Sequence, residues 1–245
     1  MKAFAADLHI HTGLSPCAAD EMTPPAIVQA ALERELAMIA ICDHNTAGNA
    51  AATQAAAGRR VAVLAGMEVT TAEEVHVLGL FPDADAAEAA GAEVRATLPP
   101  ADAAYYERFG PQYRMDATGR VVAQESRMLA LASTLELSDA VALIHRHRGV
   151  AIAAHVNRPS FSVISQLGMF PRDAGFDALE VFSAPGFPSR VAEFAPLGLP
   201  VLTSSDSHFL GDIGSARSTF TLRRPSFEEL VLALRGTGGR GVRCA

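Results

Sequence analysis

The sequence predicts an α/β fold built on a parallel sheet, and three observations lead there. Short, continuously apolar runs recur at residues 38–42, 61–65, 150–154, 178–182 and 199–203, as strands buried on both faces require. Stretches of helical apolar spacing separate several of them, and strands alternating with helices pair in parallel. The runs stop at polar residues able to do chemistry, which in parallel barrels occupy the C-terminal face of the sheet.

The first strand leads from an apolar start into Asp7-Leu8-His9-Ile10-His11. Side chains two apart on a strand share a face, so His9 and His11 can grip one ion together. After a loop, Thr23 before Pro24 and Pro25 reads as an N-cap and first helical positions. Apolar residues at helical spacing then run through Ile27, Val28, Ala31, Leu32 and Leu36. The run at 38–42 stops at Asp43-His44-Asn45-Thr46. An alanine-rich helix at 50–57 leads to the run at 61–65, which stops at Gly66-Met67-Glu68. Residues 75–81 read as a strand too, but the link after Glu68 is too short for a parallel crossover. An antiparallel return is expected, which sets His76 beside Glu68.

Residues 85–96 read as a helix broken by Pro99-Pro100. Tyr105, Tyr106, Phe109 and Tyr113 cluster before a turn or hairpin signal at 115–122. The segment at about 82–137 is expected to be an insertion or lid within one domain spanning 1–245, since no linker sets it apart. The tyrosines are read as its anchor. Helical spacing returns at 128–135 and 138–147. His145 and His147, two apart on the second of these, do not share a face and are expected to be solvated. Later runs end at His155 with Asn157-Arg158, at Ser183, and at Ser204 to His208. A strand at 218–222 and a helix at 227–234 follow, and the glycine-rich tail, 236–245, is expected to fray.

The 245 residues suffice for one large core. A net charge of −7 argues against a broad basic surface for duplex DNA. Three widely spaced cysteines make no disulfide framework and suggest a reducing compartment. With no targeting signal and no apolar run of membrane-spanning length, a cytoplasmic protein is expected.

Nine strand-end residues stand out: His9, His11, Asp43, His44, Glu68, His76, His155, Asp206 and His208. Imidazole and carboxylate ligands suit zinc, iron or manganese, and the donors outnumber what one ion can use. The segments that carry them are Asp7-Leu-His9-Ile-His11-Thr, Ile41-Cys-Asp43-His44-Asn-Thr, Gly66-Met-Glu68-Val, Val75-His76-Val-Leu-Gly, Ala154-His155-Val-Asn-Arg158 and Ser205-Asp206-Ser-His208. Together they resemble the polymerase and histidinol phosphatase (PHP) family of metal-dependent phosphoesterases, in a stand-alone form.

The resemblance implies a distorted (β/α)7 TIM-like barrel with two to three divalent ions at the C-terminal ends of its strands. It implies a first ion on His9, His11, Glu68 and Asp206. Glu68 would bridge to a second held by His76 and His155, and His44 and His208 would hold a third. The loop after His11 departs from the family pattern, since Pro16-Cys17 stands where another ligand is usual. Cys17 is the leading candidate, with Asp20 or Glu21 as alternatives. Clustered ions can bind phosphoryl oxygens and activate a water to hydroxide. Asp206 or His208 would assist proton transfer, and Asp43 would orient ligands or shape a turn. Arg158 is expected to clamp a phosphate through its planar fork.

The expected activity is hydrolysis of a phosphate ester: a small phosphorylated metabolite, a nucleotide or a single-stranded nucleic acid end. An amidohydrolase-type metal-dependent hydrolase and a non-catalytic metal-binding barrel are the competing readings. The first is disfavoured because Lys2, the sole lysine, precedes the first strand and leaves no candidate for a carbamylated ligand.

Overall fold

The computed structural model of the protein describes residues 1–183 and 190–244. In chain order, β1 (Lys2–Ile10), α1 (Pro24–Glu33), β2 (Met38–Ile41), α2 (Ala50–Ala57) and β3 (Ala62–Thr70) form the alternating first part. Then come β4 (His76–Phe81), α3 (Ala84–Ala96), α4 (Ala103–Phe109) and a hairpin of β5 (Tyr113–Met115) and β6 (Val121–Gln124). Next are α5 (Leu137–Arg146), β7 (Val150–Ala153), α6 (Val163–Leu167) and β8 (Ala178–Glu180). Last are α7 (Val191–Phe194), β9 (Val201–Leu202), β10 (Ser218–Leu222), α8 (Phe227–Leu234) and β11 (Gly241–Cys244).

Nine strands make one sheet in the order β11-β10-β1-β2-β3-β4-β7-β8-β9. It curls until its two ends nearly meet. Thr203 N donates to Ser218 Oγ at 2.8 Å and Cys244 Sγ to Val201 O at 3.2 Å. The distorted barrel therefore forms, and the source of its distortion is specific. Strand β4 runs antiparallel to both β3 and β7, as its short connection demands. Strand β10 runs antiparallel to β1 and carries β11 beyond it.

The barrel strands are mainly apolar because both faces are covered. Ala6, Leu8, Met38, Ala40, Leu78, Leu80, Val150 and Ile152 fill one side, closed off by Leu230 and Leu234 of α8. Ile10, Ile39, Ile41, Val77 and Ala151 pack on the other side with residues of α1, α3 and α5. Leu8 and Ile10 thus lie in different layers, which an unbroken strand forbids. The pairing of β1 with β2 shifts register between Asp7 and Ile10, and this bulge turns the strand over just before His11. Gly66 is also forced: a Cβ there would stand 2.9 Å from Gly79 O on the neighbouring strand.

Within 82–137, α3 packs on β3 and β4 as a barrel helix. The rest reaches over the loops that follow β1 and β2. Tyr113 N donates to Gly13 O, Met115 N to Asn49 Oδ1, and Asn45 Nδ2 to the carbonyls of Leu129 and Leu131. Tyr105 OH donates to Gln112 Oε1 and Tyr106 OH to Glu125 O.

Four expectations need correction. Residues 128–135 form no helix, because Asn45 and the neighbouring loops take the carbonyls a helix would use. Glu68 does not end its strand: β3 continues to Thr70 because β4 pairs with it there. The tail does not fray before Cys244. Residues Gly241–Cys244 pair with β10, and Arg240 forms a two-pronged ion pair with Glu229 at 2.6 and 2.7 Å. His145 and His147 are not merely solvated, since they pair with Asp177 and Glu93 at 2.9 and 2.6 Å. Ala245 lies outside the described residues. No helix among those described is long and apolar enough to cross a membrane.

Candidate metal centre

Six of the chain's eight histidines converge at one end of the barrel. Strand β1 delivers His9 and the residue directly after it is His11; the loop after β2 brings His44, β3 Glu68, β4 His76, the turn after β7 His155, and the segment after β9 Asp206 and His208. His155 and Asp206 hold left-handed backbone, with φ of +29° and +52°. Strain of that kind in a non-glycine residue persists only where the surroundings dictate it.

Glu68 is at the centre. Its Oε2 faces His44 Nδ1 at 3.1 Å and the Nε2 atoms of His9 and His11 at 3.4 Å. Its Oε1 faces His76 Nδ1 at 2.8 Å and His155 Nε2 at 3.1 Å. These imidazoles hold its carboxyl well below the carboxylate range in spite of burial, which alone would raise it.

Protons can be assigned around the first group. His9 Nδ1 donates to Glu180, 3.1 and 3.2 Å from its two oxygens, so in the neutral ring His9 Nε2 carries a lone pair. Ser15 Oγ donates to Asp43 Oδ1 at 2.7 Å and accepts from His11 Nδ1 at 3.0 Å, so His11 Nε2 carries one too. These lone pairs stand 3.1 Å apart, and each lies 3.2–3.3 Å from Asp206 Oδ1. With both rings neutral, four electron-pair donors face one point, an arrangement that a cation satisfies. Burial opposes charge on His9, yet Glu180, Asp206 and Glu68 hold the ring well above its ordinary value, so without an ion a second proton takes that place. The spacing suits a metal ion. Donors roughly 2.0–2.2 Å from a tetrahedral zinc stand roughly 3.3–3.6 Å apart. Among the described residues, the same four, with His44–Glu68–His76 and His11–His44–His208, are the sets of donors whose atoms gather within 4.8 Å. His44 Nδ1 and His155 Nδ1 are buried without a hydrogen-bond partner.

Other residues fall around this cluster. Cys17 is an exposed residue whose thiol turns inward to His44 and His208. Desolvation opposes ionisation, yet the two imidazoles bring the thiol down to about 6. Asp20 and Glu21 are exposed and, like Cys17 and His155, join no set of gathered donors among the described residues. Asp43 does not face the open site. It accepts from Thr12 N and Oγ1 and from Ser15 Oγ. Arg158 pairs with Asp206 Oδ2 and lies over the Phe182 ring, 3.9 Å from its centroid.

Two buried acids were not assigned roles from the sequence. Glu180 orients His9 and also accepts from His155 N at 3.2 Å. Its signal was a lone carboxylate inside an apolar strand, which is costly unless paired. Asp7 accepts from Ser205 and Gly214 N and so ties β1 to the segment carrying Asp206. Burial lifts its carboxyl to about 6.

Comparison with known proteins gives the chain its relatives. No curated protein matches the sequence. The lesion-specific endonuclease Q of Pyrococcus furiosus is similar in structure, with a TM-score of 0.73 and 21% identity over 98% of this chain. Endonuclease Q bound to a 27-mer duplex with an abasic lesion gives 0.72 and 20% over 98%. In both comparisons this chain spans 58% of the other. A candidate metal-dependent phosphoesterase from Bifidobacterium adolescentis gives 0.57 and 24%, covering 83% of this chain and 87% of that one. At these identities the likeness is one of fold. The PHP-associated family matches residues 191–237. The PHP domain matches residues 7–168, and the chain belongs to the PHP domain family.

Proposed function

We propose that this chain, a metal-dependent hydrolase by family, is a phosphoesterase acting on a small phosphorylated metabolite, a nucleotide or a nucleic acid end. The observation that carries the reading is Glu68, with imidazole nitrogens of His9, His11, His44, His76 and His155 gathered against its two oxygens. His9, His11, Glu68 and Asp206 would hold one ion, and Glu68, His76 and His155 a second. His44 and His208 would hold a third with Cys17, a soft donor that favours zinc or iron over magnesium. When bound, such ions neutralise phosphoryl charge and make hydroxide available near neutral pH.

The protein's own groups complete the site. Arg158 keeps Asp206 in place, and its planar guanidinium suits a phosphoryl oxygen at the same edge. Asp206 is a weak base, because His9 and His11 hold its carboxyl well below the usual range against the pull of burial. Where no third ion takes its Nε2, His208 is the better proton carrier. Its Nδ1 donates to Asp206 O at 2.9 Å and its side chain reaches solvent. The DNA in the endonuclease Q complex supports keeping nucleic acid among the substrates. The net charge of −7 favours contact confined to the site. Lys2 opens β1 at the end away from His9, which removes the carbamylated-lysine arrangement.

Elemental analysis, with turnover of p-nitrophenyl phosphate and bis(p-nitrophenyl) phosphate before and after chelation, tests the reading. At least one ion per chain and chelator-sensitive turnover of either ester are expected. Stoichiometric metal with neither ester cleaved would overturn it.

A further inference from the structure

Beside the His44–His76 edge of the cluster lies a cleft of about 440 Å³. That is ample for a ring of nucleobase or phenyl size. Its walls are largely apolar, with Leu131 and Ala132 among them, and among the described residues Glu74 is the one acid along its lining. Phe161 is its most unusual wall. The side chain is 41% exposed, yet it is fixed in place. Its ring stacks on His76, with centroids 4.7 Å apart and planes 22° from parallel. Its carbonyl accepts from His76 N at 2.9 Å. Its φ is +56°, a conformation bulky side chains avoid unless held there. From α4 the same cleft receives Phe109 and Arg108, the guanidinium 5.2 Å from the Phe109 centroid. Arg108 has no carboxylate partner among the described residues.

A rigid aromatic face held in water beside a site histidine is a surface waiting for a flat partner. We propose that this cleft receives the leaving group of the ester and selects one with a planar aromatic ring, laid against Phe161 and bordered by Phe109 and Arg108. The inference rests on the phosphoesterase reading and adds a substrate class to it. A nucleobase and a simple phenolic ring share the chemistry.

The test uses the full chain loaded with zinc or manganese. Calorimetry compares phenylphosphonate, ethylphosphonate and a nucleoside phosphonate, and kinetics compare kcat/KM for phenyl and ethyl phosphate. Wild type binds the ring-bearing phosphonates more tightly. Phe161→Ala reduces that preference roughly tenfold or more, and the phenyl-to-ethyl ratio of kcat/KM falls with it. Because Phe161 also touches His76, Phe109→Ala serves as the second variant, and a smaller fall in the same ratios is expected. Tighter binding of the nucleoside than the phenyl compound identifies a nucleotide, and the reverse a simple aryl ester. Equal affinity for ring and alkyl compounds, no binding of any, or a preference that neither substitution moves would overturn the inference. If both esters turn over without ring preference, it falls alone and the phosphoesterase reading stands. If ring-bearing phosphonates bind selectively but no ester is cleaved, the phosphoesterase reading falls and an aromatic anion site remains.

Discussion

Removing the Glu180 carboxylate should loosen the first ion without touching any of its proposed donors. Glu180 accepts from His9 Nδ1 at 3.1 Å and from His155 N at 3.2 Å, and it is fully buried. Glu180→Ala therefore strands two buried donors. At about 1–3 kcal/mol for each, the loss is about 2–6 kcal/mol, divided between folding and ion binding. It also frees the His9 ring to turn and to take its proton on Nε2. Partners of this kind typically change metal affinity by roughly 10- to 100-fold. Glu180→Gln keeps the shape and one acceptor oxygen and should fall at the low end. The assay is competition of the metal-stripped protein with a chromophoric chelator for zinc, with thermal melts of both forms. Unchanged zinc affinity in Glu180→Ala, in protein that still folds, would refute the claim that this carboxylate aims His9.

Glu68→Gln should cut bound metal more deeply than any single histidine substitution, because both its oxygens are engaged; elemental analysis reads this directly. Cobalt-loaded protein should show a near-ultraviolet thiolate charge-transfer band that Cys17→Ser abolishes, and a spectrum unaltered by the substitution would exclude sulfur from the third site. At the far end of the barrel, hydrogen bonding from Arg240 lowers the Glu229 carboxyl to about 2, below its ordinary 4.5. The stability this pair contributes is complete above pH 4.5 and is lost as pH falls towards about 2. Glu229→Gln should accordingly flatten the acid limb of a stability-versus-pH curve and leave its neutral region lower. An acid limb identical to wild type would remove the pair from the account.

Much of this site was legible because it obeys one rule: an apolar run followed by an abrupt polar residue. His9, His44, His155 and Asp206 announce themselves in that way. His76 needed a second argument, the short link that forces β4 to turn back. Glu180 escaped because the apolar run continues past it through Phe182, so the acid resembled an interruption rather than an end. The tail escaped for a different reason. Its glycines speak for disorder, while the contact that fixes it joins Arg240 to a residue eleven positions earlier. Residues 128–135 have helical spacing but lose their carbonyls to Asn45, a competition that no local pattern reveals.

The shift in β1 between Asp7 and Ile10 separates two jobs within nine residues of chain. Residues 2–6 keep their partners on β10 whatever happens beyond them, and Leu8 plugs the interior independently of where the imidazoles aim. Deleting Leu8 at the shift should therefore leave the seam intact, keep Ile10 opposite Ile41 and hold His9 and His11 inward, with the interior plug as the only loss. Repacking at Leu8 should leave their aim alone. The strand behaves as a stem with a swivel near its tip, so the scaffold can be rebuilt from below without re-aiming what it carries.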